Sequence, residues 1–228
     1  MASENRRTIR TVERQRPEVY EAGLVFQQSL FDENLRKKAS EEPTENTLVF
    51  CEHTPVYTLG KNGDEKNLLF KPELTGADFY RIERGGDITF HGPGQLVIYP
   101  IFDLDTLDIG VSEFVGKLEE TVILTLKEYG LTGERLEGAS GVWLDITFNP
   151  RKICAIGLKI SRKCSMHGIS INLNTDLRYF SYIVPCGLQD KGVTSLQKEL
   201  GKEISMKEFQ TKFCVNFEKI FNVDLILE

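Results

Sequence analysis

The sequence of 228 residues predicts an α+β fold, a mixed, largely antiparallel sheet flanked by helices. Two observations point there. Three stretches, near the start, the middle and the end, repeat apolar residues every three or four positions, as helices do. Among them lie short apolar runs, one alternating with a period of two, as strands do. Helices that flank such a sheet favour α+β over a doubly wound fold.

A single domain is expected over residues 1–228, with 1–16 as a flexible lead. Pro17 suits a first helical position, and Tyr20, Leu24, Gln27 and Phe31 follow at helix-like spacing. The polar, acidic stretch 37–46 is a loop before a strand at 47–51. Residues 53–60 make a turn and a short strand. An apolar run at 77–82, a glycine-rich loop at 84–95 and an apolar strand at 96–101 come next. Ser112 is placed to cap a helix carrying Phe114, Val115, Leu118, Val122, Leu126 and Tyr129, which Gly130 ends. Strands are expected at 141–146, 153–160 and 167–174. In the last, His167, Ile169, Ile171 and Leu173 form an apolar face, with Gly168, Ser170, Asn172 and Asn174 opposite. Ser205-Met206-Lys207-Glu208 is a capping box, and Phe209, Phe213, Phe217 and Ile220 are the buried stripe of a final helix.

Hydrophobic content of 40% and charged content of 27% are those of a globular protein able to bury ~70% of its unfolded surface. No apolar run is long enough for a bilayer, and the start lacks the core of a secretory signal. The expected compartment is the cytoplasm. Five cysteines at irregular spacing make no disulfide framework. Cys164 and His167 lie three apart, as zinc ligands can, but no second pair accompanies them, so no metal is expected. A net charge of −6 argues against nucleic-acid binding. Residues 146–175 nevertheless lack any acid and carry Arg151, Lys152, Lys159, Arg162 and Lys163, which reads as a docking patch for an anionic partner.

Two features carry chemistry. Arg84-Gly85-Gly86-Asp87-Ile88-Thr89-Phe90-His91-Gly92-Pro93-Gly94-Gln95 concentrates glycine beside an arginine and a histidine, as a binding surface does. Cys186 lies in Ile183-Val184-Pro185-Cys186-Gly187-Leu188, where an apolar strand end meets a turn that presents the thiol. Cys154, Cys51 and Cys214 look like core residues; Cys164, in a basic turn, ranks second as a reactive thiol. A thiol with pKa near ~8.5 needs a neighbouring cation to ionise at neutral pH. His91, His167, Lys152 and Lys159 are the candidates.

Several ordered motifs resemble those of the octanoyltransferases of lipoate biosynthesis. They run from His53-Thr54-Pro55-Val56-Tyr57-Thr58-Leu59-Gly60 through the 84–95 loop, Leu96-Val97-Ile98-Tyr99-Pro100 and Gly141-Val142-Trp143. Lys152-Ile153-Cys154-Ala155-Ile156-Gly157, His167-Gly168-Ile169-Ser170-Ile171-Asn172-Leu173-Asn174, Pro185-Cys186-Gly187 and Gly192-Val193-Thr194-Ser195-Leu196 follow. The resemblance implies a fold like that of biotin and lipoate protein ligases. It implies transfer of an octanoyl group from octanoyl-acyl carrier protein to a lysine of lipoyl domains. These acceptors are the E2 subunits of 2-oxoacid dehydrogenases and the H protein of glycine cleavage. Cys186 would form the thioester and Lys152 would activate it. Arg84 to His91, Ala155 to Gly157 and Gly168 to Ser170 would bind the acyl chain, with Phe90 standing where tyrosine is common. No cofactor, nucleic-acid partner or membrane partner is implied, and a monomer is expected. The alternatives are an ATP-dependent lipoate or biotin ligase of the same fold, a cysteine hydrolase and a non-catalytic carrier-binding module.

Overall fold

The structure is a computed structural model and describes residues 6–184 and 191–227. In chain order it runs β1 (Arg7–Glu13), α1 (Tyr20–Ala39), β2 (Thr47–Cys51), β3 (Val56–Leu59), β4 (Asp78–Arg81), β5 (Ile88–His91) and β6 (Gln95–Ile101). Then come α2 (Leu104–Leu107), α3 (Val111–Lys127), β7 (Glu134–Leu136), β8 (Ala139–Leu144), β9 (Arg151–Ser161) and β10 (Cys164–Asn172). The chain continues with β11 (Gly192–Val193), α4 (Leu196–Leu200), α5 (Met206–Phe221) and β12 (Val223–Leu227). No helix among the described residues is long and apolar enough to cross a membrane.

The large sheet has the order β12-β1-β2-β6-β10-β9-β8-β7, and β11 extends it along β9. The run from β2 to β7 is antiparallel, while β1 pairs parallel with both β2 and β12. Its centre is buried on both faces because helices cover both. Strand β6 illustrates this, since successive side chains point to opposite faces. Leu96 and Ile98 enter the core under α3 and α5, with Phe114, Leu118, Val122, Phe209, Phe213 and Phe217. Val97, Tyr99 and Ile101 enter a second cluster under α1, with Phe31 and Met166. Phe217 sits against Phe102, Phe213 and Phe221. A smaller sheet, β4-β3-β5, forms its own core around Tyr57, Ile88 and Phe90.

The helix stripes and the α5 cap follow the sequence: the Ser205 hydroxyl accepts from the Glu208 N–H. Elsewhere the structure differs. Residues 7–13, expected within a flexible lead, are a strand held between β2 and β12. Helix α1 begins at Tyr20, three residues after Pro17, and runs to Ala39, into the expected loop. Gly110, not Ser112, stands at the N-cap of α3. A third of the glycine-rich stretch, Ile88–His91, is strand β5, paired with β3. The polar face of β10 is not solvated, because every residue of the strand is buried.

Candidate active site

A cavity of about 370 Å³ opens between the glycine-rich turn and the β9–β10 hairpin. Its floor is the β9–β10 ladder, where Ala155 faces Ser170, Ile156 faces Ile169 and Gly157 faces Gly168. The paired glycines are required by close approach. A Cβ on Gly168 would lie 2.1 Å from the Ile98 carbonyl oxygen, and one on Gly157 would lie 2.9 Å from the Arg84 Cδ. The Arg84 turn is thereby seated directly on β9, where the Gly85 N–H donates to the Leu158 carbonyl at 2.8 Å.

Arg84 is buried, and its guanidinium donates to the Thr58 carbonyl at 2.6 Å, to the Thr58 hydroxyl and to the Gly85 carbonyl. It therefore clamps the turn to β3. Asp87 accepts from the Ile88 N–H at 2.7 Å and from the Asn67 amide. At one end of the cavity the Lys152 ammonium lies 4.7 Å from the centre of the buried Trp143 ring, its cross-strand neighbour on β8. On its other side Lys152 pairs with Val193 of β11, and the Thr194 N–H donates to the Lys152 carbonyl at 3.0 Å.

His91 is fixed by Gln95. The Gln95 amide nitrogen donates to the Phe90 carbonyl and to Asn172 Oδ1, so its oxygen is left to accept from His91 Nδ1 at 2.7 Å. That assigns the Nδ1–H tautomer and leaves Nε2 as the lone-pair nitrogen. Burial pushes His91 down to about 3, helped by nearby His53. It also pushes His167 down to about 3, where Arg84 and Lys159 add to the effect, and His53 to about 4. No imidazolium is therefore offered here at neutral pH, which removes His91 and His167 as thiolate-stabilising cations. Lys159 is committed elsewhere: it pairs with Glu83 at 2.5 Å and does not line this cavity.

Of the residues singled out in the sequence, the cavity gathers Arg84, Gly86, Asp87, Ile88, Thr89, His91, Lys152, Ala155, Ile156, Gly157, Gly168, Ile169 and Ser170. Gly85 and Phe90 are not part of its lining. The Phe90 ring is turned into the small-sheet core, stacked on Tyr179 at 4.4 Å and edge-on to Phe180. Cys186 lies outside the described residues, with the rest of 185–190. The chain enters that stretch at Val184, whose N–H donates to the Asn67 carbonyl, and returns at Gly192, paired with Arg151. Cys164 is not a reactive surface thiol: it is fully buried and pushed up to about 11.

Several lining residues escaped the sequence reading: Tyr20 from α1, Ile82 after β4, Val97 and Tyr99 from β6, and 138–140 at the start of β8. His167 was expected on the apolar face of its strand, yet it lines the cavity. Its φ of 61° lies in the left-handed region, which interrupts regular strand alternation. Three of the five residues of the basic segment are ion-paired. Arg151 forms a two-pronged pair with Glu199, Lys159 pairs with Glu83, and Lys163 pairs with Asp105.

Among the described residues, one set of three potential metal ligands converges, Glu18, Cys51 and His53, all buried. Arg14 already neutralises Glu18 at 3.0 Å, the Tyr99 hydroxyl holds His53 Nε2 at 2.8 Å, and burial pushes the Cys51 thiol up. These contacts describe a hydrogen-bonded core cluster.

Residues 25–218 match the family model of the lipoyl protein ligase A/B catalytic domain. The chain is 49% identical over 217 residues to an octanoyltransferase of Christiangramia forsetii, covering 90% of this chain and 93% of that protein. It is 53% identical over 197 residues to an octanoyltransferase of Bacteroides fragilis, covering 85% and 89%. The fold is similar to that of a bipartite lipoate protein ligase from Thermoplasma acidophilum. There the TM-score is 0.72 at 16% identity, over 98% of this chain and 87% of that one. A biotin protein ligase from Aquifex aeolicus is a more distant match, with a TM-score of 0.51 at 14% identity over 93% and 69%. By the span of that family model and by the identity it shares with these relatives, the chain belongs to the lipoyl protein ligase A/B catalytic domain family.

Proposed function

We propose that this protein is an octanoyltransferase that carries an octanoyl group from octanoyl-acyl carrier protein to a lysine of a lipoyl domain, through a thioester on Cys186. The observation that carries this reading is the placement of Lys152. It lines the cavity with Arg84, and the Arg84 guanidinium is occupied by Thr58 and Gly85. Lys152 opens the strand that carries the Ala155–Gly157 floor, which places its ammonium where it can serve an incoming thioester and an amine. The four described cysteines favour Cys186 as nucleophile. Burial raises Cys154 to about 12, Cys164 to about 11 and Cys214 to about 12, and Cys51 is raised further, so these thiols stay protonated. The chain flanking residue 186 is anchored at Asn67, which bonds the cavity residue Asp87, and at the Lys152 strand.

In the first half-reaction the Cys186 sulfur bonds the octanoyl carbonyl carbon. The carbon–sulfur bond to the carrier breaks, and the carrier thiol leaves with a proton supplied through Lys152. In the second, Lys152 takes a proton from the acceptor ammonium. The resulting amine attacks the thioester, and the Cys186 sulfur leaves as a thiol with the amine's second proton as the amide forms. Thioester exchange is nearly balanced and amide formation drives the second step, so no ATP enters. The apolar and small floor of Ala155, Ile156, Gly157, Gly168 and Ile169 suits the hydrocarbon tail.

Transfer to a purified lipoyl domain tests the reading. Cys186→Ala should abolish it with the fold retained, and free octanoate with ATP should not replace the carrier-bound donor. Normal transfer by Cys186→Ala would overturn the nucleophile, and ATP-dependent use of free octanoate would favour the ligase alternative.

A further inference from the structure

A second cavity, of about 570 Å³, lies between α1 and the end of β4, and it meets the first at a shared wall. Ile82 and His167 line both. Beyond that wall the second cavity is a groove open to solvent, faced by Leu24, the exposed Val25 and Met166 and, among polar groups, by Asp32, Arg81, Glu83 and Lys159. We propose that this cavity is a compartment for the far end of acyl chains longer than eight carbons, and that Ile82 and His167 form the wall that excludes them. The inference rests on the acyl-transfer reading above and adds its chain-length rule.

The dimensions fit. Leu158 is the strand partner of His167, and the floor from Ala155 to Leu158 is three residues, or ~10 Å at ~3.3 Å per residue. An extended chain advances ~1.2 Å per bond, so an eight-carbon acyl group spans roughly 9 Å. With its carbonyl held beside Ala155, its methyl end reaches His167. Four more carbons need a further ~5 Å, which exists only through the wall.

The wall is braced from three sides. The His167 N–H donates to Gln27 Oε1 of α1 at 3.0 Å. Glu83, next to Ile82, is tied to β9 by Lys159. Arg84, next again, is clamped to Thr58. Ile82 and His167, with their backbone and neighbours held by these contacts, thus stand between the two cavities.

The test compares loading of the intact protein by octanoyl- and dodecanoyl-acyl carrier protein, read as thioester mass, for wild type, Ile82→Ala and His167→Gly. Glycine accepts the φ of 61° at position 167, so that variant opens the wall without asking the backbone to move. Each extra buried methylene is worth roughly fourfold, so the dodecanoyl-to-octanoyl rate ratio should rise at least tenfold in both variants. Adding Val25→Trp to Ile82→Ala fills the compartment from α1 and should return the ratio to the wild-type value. The proposal is overturned if octanoyl loads normally in wild type but the ratio stays within twofold in both folded single variants. It is also overturned if Val25→Trp leaves a raised ratio unchanged. Failure of wild type to accept octanoyl at all would instead remove the acyl-transfer reading, and this inference with it.

Discussion

Mild acid should unfold this protein by charging histidines that burial keeps neutral. His91 and His167 are held at about 3 and His53 at about 4, in each case chiefly by burial. In the unfolded chain each imidazole takes up its proton near ~6.5. The folded values are the lower ones, so below that pH the unfolded chain binds more protons, and stability falls as pH drops toward the folded values. At pH 5 the difference is worth ~2 kcal/mol for each residue and ~6 kcal/mol for the three together. A domain's whole stability is typically ~5–15 kcal/mol. Paired carboxylates act with the same sign but at lower pH. Glu199, lowered by Arg151, begins to lose its contribution only as pH approaches ~4.5. The interval from pH 6.5 to 5 therefore belongs to the histidines. Urea unfolding at fixed ionic strength should give a midpoint that falls steeply over that interval with an unchanged m-value. Ring proton shifts of the folded protein should show no histidine titrating above pH 5. A constant midpoint, or a His91 ring that titrates near 6.5, would refute a buried neutral cluster.

Other perturbations separate the site from its scaffold. Lys152→Met should slow octanoyl loading by ~10²-fold or more, measured by mass spectrometry. Lys159→Met, which loses a pair with the exposed Glu83, should be milder, and equal losses would contradict the assignment of Lys152. Gly168→Ala forces a methyl group against the Ile98 carbonyl and should destabilise by ~1–3 kcal/mol; an unshifted thermal midpoint would be inconsistent with the β6–β10 approach. Phe217→Ala should cost ~3–5 kcal/mol in urea unfolding, because its ring is fully buried among three other phenylalanines.

What could be read from the chain was whatever local spacing decides. Phe114, Leu118 and Val122, and Phe209, Phe213 and Phe217, mark α3 and α5 because one buried face repeats every three or four residues. Ser205 marks a helix start because a hydroxyl there satisfies an otherwise unpaired N–H. Strand β5 was hidden within glycines because its pairing with β3 is non-local. The order of residues 7–13 depends on β2 and on β12 at the far end of the chain. Arg151, Lys159 and Lys163 looked open because Glu199, Glu83 and Asp105, which pair with them, come from other elements. Most of the cavity floor was legible through motif resemblance. Tyr20 and Ile82 were not, since only the packing of α1 and β4 over the sheet brings them there.

Covalent capture on Cys186 is the point on which acyl transfer turns. Intact-mass analysis after mixing with octanoyl-acyl carrier protein, followed by peptide mapping, measures it directly. A single octanoyl adduct on the Cys186 peptide is expected, released by neutral hydroxylamine and discharged by a lipoyl domain. An unmodified protein that nonetheless octanoylates the lipoyl domain, or an adduct on any other residue, would contradict it.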